Sequence, residues 1–146
     1  MKILDEATLV EAIMDTRGQI DFLWQFFVTV HIAIFALIFI YGHAIDRLNW
    51  PARILSLLGI AGFEWINGNA LSKAYLMLDA MHQQYRWAFG DQARFHPDFY
   101  REFVRATFAD RPDMVLVTHS AALAVVILSF LSQRLLQNRR SADDPA

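Results

Sequence analysis

Residues 54–75 read ILSLLGIAGFEWINGNALSKAY. The stretch is apolar enough and long enough to cross a bilayer. Yet Glu64 sits at its middle, and Asn67, Asn69 and Lys73 follow. Ionisable groups at such depth are costly, so they face protein or water and mark sites where helices, ligands or ions meet. The rest of the chain is read outward from this segment.

Upstream, residues 22–41 (FLWQFFVTVHIAIFALIFIY) form a first span. Twenty residues at ~1.5 Å each cover the ~30 Å hydrocarbon core. Trp24 and Tyr41 stand near its two ends, where interfacial aromatics belong. Its polar members Gln25, Thr29 and His31 fall in the first half. Gly42 ends this helix, and the turn to Arg53 carries Trp50 and a Pro51 suited to the first turn of the next helix. Downstream, the helical pattern continues past Tyr75 to about Phe89, with Gly90 as its break, so the second helix projects beyond the bilayer. Residues 114–133 (MVLVTHSAALAVVILSFLSQ) form a third span, with Thr118, His119 and Ser120 in its first half and Ala121, Ala122 and Ala124 small enough to admit a close neighbour.

The expected fold is all-α and membrane-integral: three spans, a short amphipathic N-terminal helix, and a small helical extramembrane subdomain. The N-terminal helix is placed within residues 1–19, where Ile3, Leu4, Ala7, Val10, Ile13 and Met14 recur at helical spacing, Asp5 caps and Gly18 stops. The subdomain occupies residues 90–113. Pro97 opens a helix there that runs to about Phe108, with Phe95, Phe99 and Phe103 as an apolar stripe, and residues 110–113 make a turn. Residues 134–146 form a polar tail.

Composition agrees with this picture. Hydrophobic residues make up 55% and charged residues 19% of 146, which is one domain's worth of chain with membrane helices and sizeable polar connections. A net charge of −2 gives no basic footprint for nucleic acid. The absence of cysteine removes disulfides, thiolate metal sites and cysteine nucleophiles. Acidic residues Asp5, Glu6, Glu11 and Asp15 near the start are unlike a cleavable signal peptide. No glycine-rich phosphate loop, HExxH or GxSxG motif occurs. Arg47, Arg53, Arg134, Arg139 and Arg140 cluster near span ends on one side; short basic segments stay inside. The expectation is a bacterial inner-membrane protein with its N-terminus outside and its C-terminus in the cytoplasm.

The polar residues of the spans share a depth. His31 and Glu64 fall near the midpoints of their spans; Asn67 lies about 4 Å and His119 about 7 Å toward the outer side at ~1.5 Å per residue. Glu64 shares a helix face with Ile60, Asn67, Gly68 and Leu71, whereas Lys73 lies half a turn away. Glu64 must therefore find its partner on another helix: His31 first by depth, His119 second. The candidate cluster is His31, Glu64, Asn67, Thr118 and His119. It reads first as polar glue between helices. It could also be half of a site completed by another subunit, a cofactor or metal site, or part of a proton path. In the cofactor case His31 and His119 would be axial ligands of a b-type haem, or would join Glu64 around a non-haem metal. His43, His82 and His96 read as solvated histidines near the interfaces. The functional expectation is a non-catalytic accessory or assembly subunit of a larger membrane complex, with the bilayer and other subunits as partners. A haem- or quinone-binding anchor of a respiratory-type enzyme is second, and a proton- or ion-conducting oligomer third.

Overall fold

The computed structural model describes residues 5–41 and 49–143, with side chains described as far as Phe130. Every regular element among the described residues is helical. Three long helices dominate: α1 (Glu6–Ile40), α2 (Trp50–Phe89) and α4 (Arg111–Asp143). Between α2 and α4 lie a short 3₁₀ turn (Gln92–Arg94), the single turn α3 (Pro97–Phe99) and a π-helical turn (Tyr100–Val104). All three long helices are long and apolar enough to span a membrane.

The expected break at Gly18 is absent. Residues 6–17 and the first span are not two helices: α1 is continuous from Glu6 to Ile40, while Ile3 and Leu4 of the expected helix lie outside the described residues. Glycine inside a helix costs only about 1 kcal/mol relative to alanine, and tertiary packing on both sides of Gly18 outweighs that. Asp5 caps α1 as its position suggests, accepting from the Thr8 backbone N–H at 3.0 Å and the Thr8 hydroxyl at 2.7 Å. Asn49 caps α2 by accepting from the Ala52 N–H at 3.0 Å, and Pro51 lies in the first turn. At ~1.5 Å per residue the 35 and 40 residues of α1 and α2 reach about 50 and 60 Å, well beyond the ~30 Å hydrocarbon core. Gly90 ends α2 where any Cβ would run into the Arg86 carbonyl.

Two other boundaries shift. The helix opened by Pro97, with His96 as cap, ends at Val104 and not near Phe108. Asp79 is the reason: its Oδ1 accepts from the Phe108 N–H at 2.8 Å and from the Thr107 hydroxyl at 3.1 Å, which bends the chain away from a helical path. Of the turn expected at residues 110–113 only Asp110 lies in a turn; residues 111–113 are already the first turn of α4, and the expected polar tail stays helical through Asp143. The 42–48 connection, with His43 and Arg47, lies outside the described residues, as do the side chains of Arg134, Arg139 and Arg140.

The fold divides into two compact units, Met1–Gln25 with Asn69–Leu116 and Phe26–Gly68 with Val117–Ala146. The first is an aromatic unit. Leu9, Ile13 and Ile20 of α1 pack with Leu71, Ala74, Leu78 and Tyr85 of α2, and Val104 and Val115 close the core. Phe95 meets Phe99 at a tilt at 5.6 Å, Phe99 stacks on Phe103 at 5.0 Å, and Phe103 meets Tyr85 edge-on at 5.5 Å. The Tyr85 hydroxyl donates to Glu6 at 2.8 Å; burial first, then this carboxylate, pushes its pKa up to about 12. His82 is not a solvated histidine. It is fully buried, donates from Nδ1 to the Phe103 carbonyl at 3.0 Å, and has no hydrogen-bond partner at Nε2 among the described residues. His96 is exposed.

Candidate functional site: a buried polar cluster

The second unit carries the polar residues of the spans. Helical spacing delivers them in sets. Phe27 and His31 are four apart on α1 and both are buried. Glu64, Asn67 and Gly68 share one face of α2. His119 comes from α4, and Ile38 and Val126 are buried in the same unit.

His31 Nε2 lies 2.7 Å from Glu64 Oε1, with the two side chains 9% and 5% exposed. The other ring nitrogen, Nδ1, sits 2.9 Å from the Phe27 carbonyl. A carbonyl can only accept, so Nδ1 carries a hydrogen. Nε2 is then either the bare nitrogen of a neutral ring facing a carboxylic acid, or the second N–H of an imidazolium facing a carboxylate. Either way the pair holds one proton between its two groups and has no net charge. That neutrality is what lets two ionisable side chains be buried together. The approach is short but poorly aligned for a hydrogen bond, and Glu64 Oε2 has no hydrogen-bond partner among the described residues.

The second polar pair joins Asn67 Nδ2 to His119 Nε2 at 3.1 Å. The amide donates, so this ring nitrogen accepts. Gly68 makes room for the imidazole: a Cβ there would stand 3.3 Å from the ring. Phe27 links the two pairs. Its ring centroid lies 4.2 Å from that of His31 and 4.4 Å from that of His119. Phe63 and Phe35 extend the aromatic surround of His31 at 6.3 and 6.4 Å.

No family model, characterised protein or solved structure matches this chain.

Of the five residues singled out in sequence, four are buried and meet as two pairs. Thr118 is exposed, on a different face of α4 from His119. Phe27 was missed, and Gly68 was placed on the Glu64 face without being counted in the cluster. Phe27 stands one turn before His31 and Gly68 one turn after Glu64, so a search for what shares a face with each polar residue finds both. The donor set does not suit a bis-histidine haem. Axial ligation needs two nitrogens aimed at one iron, whereas His31 Nε2 is turned to Glu64 and His119 Nε2 to Asn67. Nor do His31, Glu64 and His119 converge as a metal triad: no group of three His, Cys, Asp or Glu able to hold an ion occurs among the described residues. The arrangement can hold three helices in register and store one proton.

Proposed function

We propose that the chain is a non-catalytic accessory or assembly subunit of a larger membrane protein complex. The carrying observation is the exposed face of α2 beyond Tyr75. Leu76, Met77, Ala80, Gln83 and Trp87 fall on one side of that helix and are all exposed, Trp87 at 72%. None of them is charged. The charges on this part of the helix, Asp79 and Arg86, lie along one edge of the stripe, where Gln83 donates to Asp79 at 2.6 Å. An uncharged stripe with two large apolar side chains and a tryptophan, on a helix projecting about 18 Å past the bilayer at ~1.5 Å per residue, fits a protein partner better than water.

The polar cluster supports the same reading, because its residues are engaged with each other and serve the fold. A haem anchor is less well supported by the nitrogens' directions, and a proton path needs more than one isolated pair. The bacterial inner membrane with the aromatic unit outside remains the preferred location, on the arginine distribution.

The test is native purification with mass spectrometry. A partner present in fixed stoichiometry, lost on Trp87→Glu while the variant stays helical and membrane-bound, is the expected result. A chain that purifies alone, whether or not Trp87 is changed, overturns the proposal.

A further inference from the structure

The aromatic unit contains a recess of about 570 Å³ that the polar cluster does not use. That volume lies within the ~300–1,000 Å³ of small-molecule sites. Its floor is apolar: Ile20 and Leu78 are 4% and 1% exposed. Tyr75 and Phe108 add two aromatic walls, stacked at 6.4 Å, and Arg17 and Asp21 bring opposite charges to the lining. Four residues apart on α1, Arg17 and Asp21 are placed to pair with each other. They do not. The Arg17 guanidinium instead lies over the Phe108 ring, 5.9 Å from its centroid, and no ion pair or hydrogen bond engages Asp21 among the described residues. The cation is held to one side and the carboxylate is left available.

The depth of the recess narrows what could fill it. The spans read from sequence begin at Phe22 and end at Tyr75, so Asp21 stands at the hydrocarbon boundary and Arg17 about 7 Å outside it. The headgroup layer is about 5–7 Å deep on each side. Below the charges, Trp24 donates to the Tyr75 hydroxyl at 3.0 Å, an aromatic pair of the kind that marks this boundary. A molecule held in the recess at this level would face an apolar floor, a carboxylate and a guanidinium held apart from it.

We propose that this recess binds the headgroup of a zwitterionic phospholipid, with its phosphate on Arg17 and its ammonium on Asp21 and the neighbouring ring faces. A guanidinium matches phosphate oxygens, and a carboxylate with aromatic faces matches an ammonium. A purely anionic headgroup would set its charge against Asp21, which gives the site its selectivity. The proposal rests on residues 22–41 and 54–75 being membrane spans; it does not depend on the partner-subunit reading.

The experiment uses the full chain in nanodiscs containing equal phosphatidylethanolamine and phosphatidylglycerol, with retained lipid counted by native mass spectrometry after detergent exchange. Expected is one phosphatidylethanolamine per chain, retained several-fold over phosphatidylglycerol. Arg17→Gln should lose that lipid, and Asp21→Asn should lose the preference for it. Arg94→Gln, off the recess, should change neither, and circular dichroism checks that each variant is as helical as the parent. Preferential retention of phosphatidylglycerol by the parent, retention of neither lipid, or unchanged selectivity in both recess variants overturns the proposal. A chain that stays soluble without detergent and does not enter nanodiscs overturns the membrane reading itself, which is a separate result.

Discussion

At the scale of single residues, the chain concentrates its risk in Glu64 and His31. Each is tolerable in a buried site because the other neutralises it. Removing one leaves an ionisable group buried without its counterpart, which in proteins costs about 3–5 kcal/mol; hydrogen-bonded pairs measured between membrane helices run smaller, about 0.6–2 kcal/mol. Glu64→Ala is expected to lower unfolding stability within that span in a detergent titration, and Glu64→Ala with His31→Ala to cost less than the sum of the single changes. Strict additivity in that double-mutant cycle would remove the pair from the account of the fold. Gly68 is the second point of risk. A methyl group at 3.3 Å from the His119 ring must push it from Asn67, and overpacking of this kind costs about 1–3 kcal/mol. Gly68→Ala should therefore destabilise, although alanine is the better helix former. Gly18 has nothing within 4 Å of the position a methyl group would take, so the same change there should leave stability unchanged or raise it.

At the scale of elements, Asp79 fastens the segment after the π turn to α2. Three donors hold its carboxyl below the usual carboxylate range, the Phe108 N–H first, with Thr107 and Gln83 beside it. Burial likewise holds the His82 imidazole below its usual range; Arg17 and Arg86 oppose its charge, while the Phe103 carbonyl and Asp79 favour it. Both groups bind a proton less readily folded than unfolded. Their contributions are thus present above the ordinary histidine and carboxylate ranges and are lost as pH falls, His82 first and Asp79 at lower pH. Hydrogen exchange at Phe108 is expected to accelerate as pH drops through the histidine range, after correction for intrinsic exchange. His82→Gln should abolish that first phase, and Asp79→Asn should weaken protection at neutral pH. A flat profile from neutral pH into the carboxylate range would contradict the buried-histidine account.

At the scale of the whole molecule, orientation is the question the fold class raises. The absence of native cysteine makes it easy to ask. Phe99→Cys should react with a membrane-impermeant maleimide in intact cells, since Phe99 is 46% exposed in the aromatic unit. Arg140→Cys should react only after lysis. The reverse pattern would show that the larger number of basic residues in the N-terminal and loop segments governs insertion, and that the short basic segments beside the spans do not.

Hydrophobic length and helical periodicity were legible without coordinates: three segments able to span, the continuation of α2 to Phe89, the cap at Asp5, the helix start at Pro97, and the pairing of His31 with Glu64. These follow from local rules, because a run of apolar residues and a cap act within a turn or two of their own position. The depth argument also picked His31 ahead of His119 as the nearer match for Glu64, the order in which the side chains lie. What only tertiary structure decided was contact between distant residues. Gly18 does not interrupt α1, because Leu9, Ile13 and Ile20 find one continuous face of α2 on which to pack. His82 is buried, because the Phe103 carbonyl and an aromatic wall close over it. His119 belongs to Asn67, because Gly68 opens a gap of one methyl group. Packing of this kind depends on which surfaces meet across dozens of residues, and no local pattern carries that information.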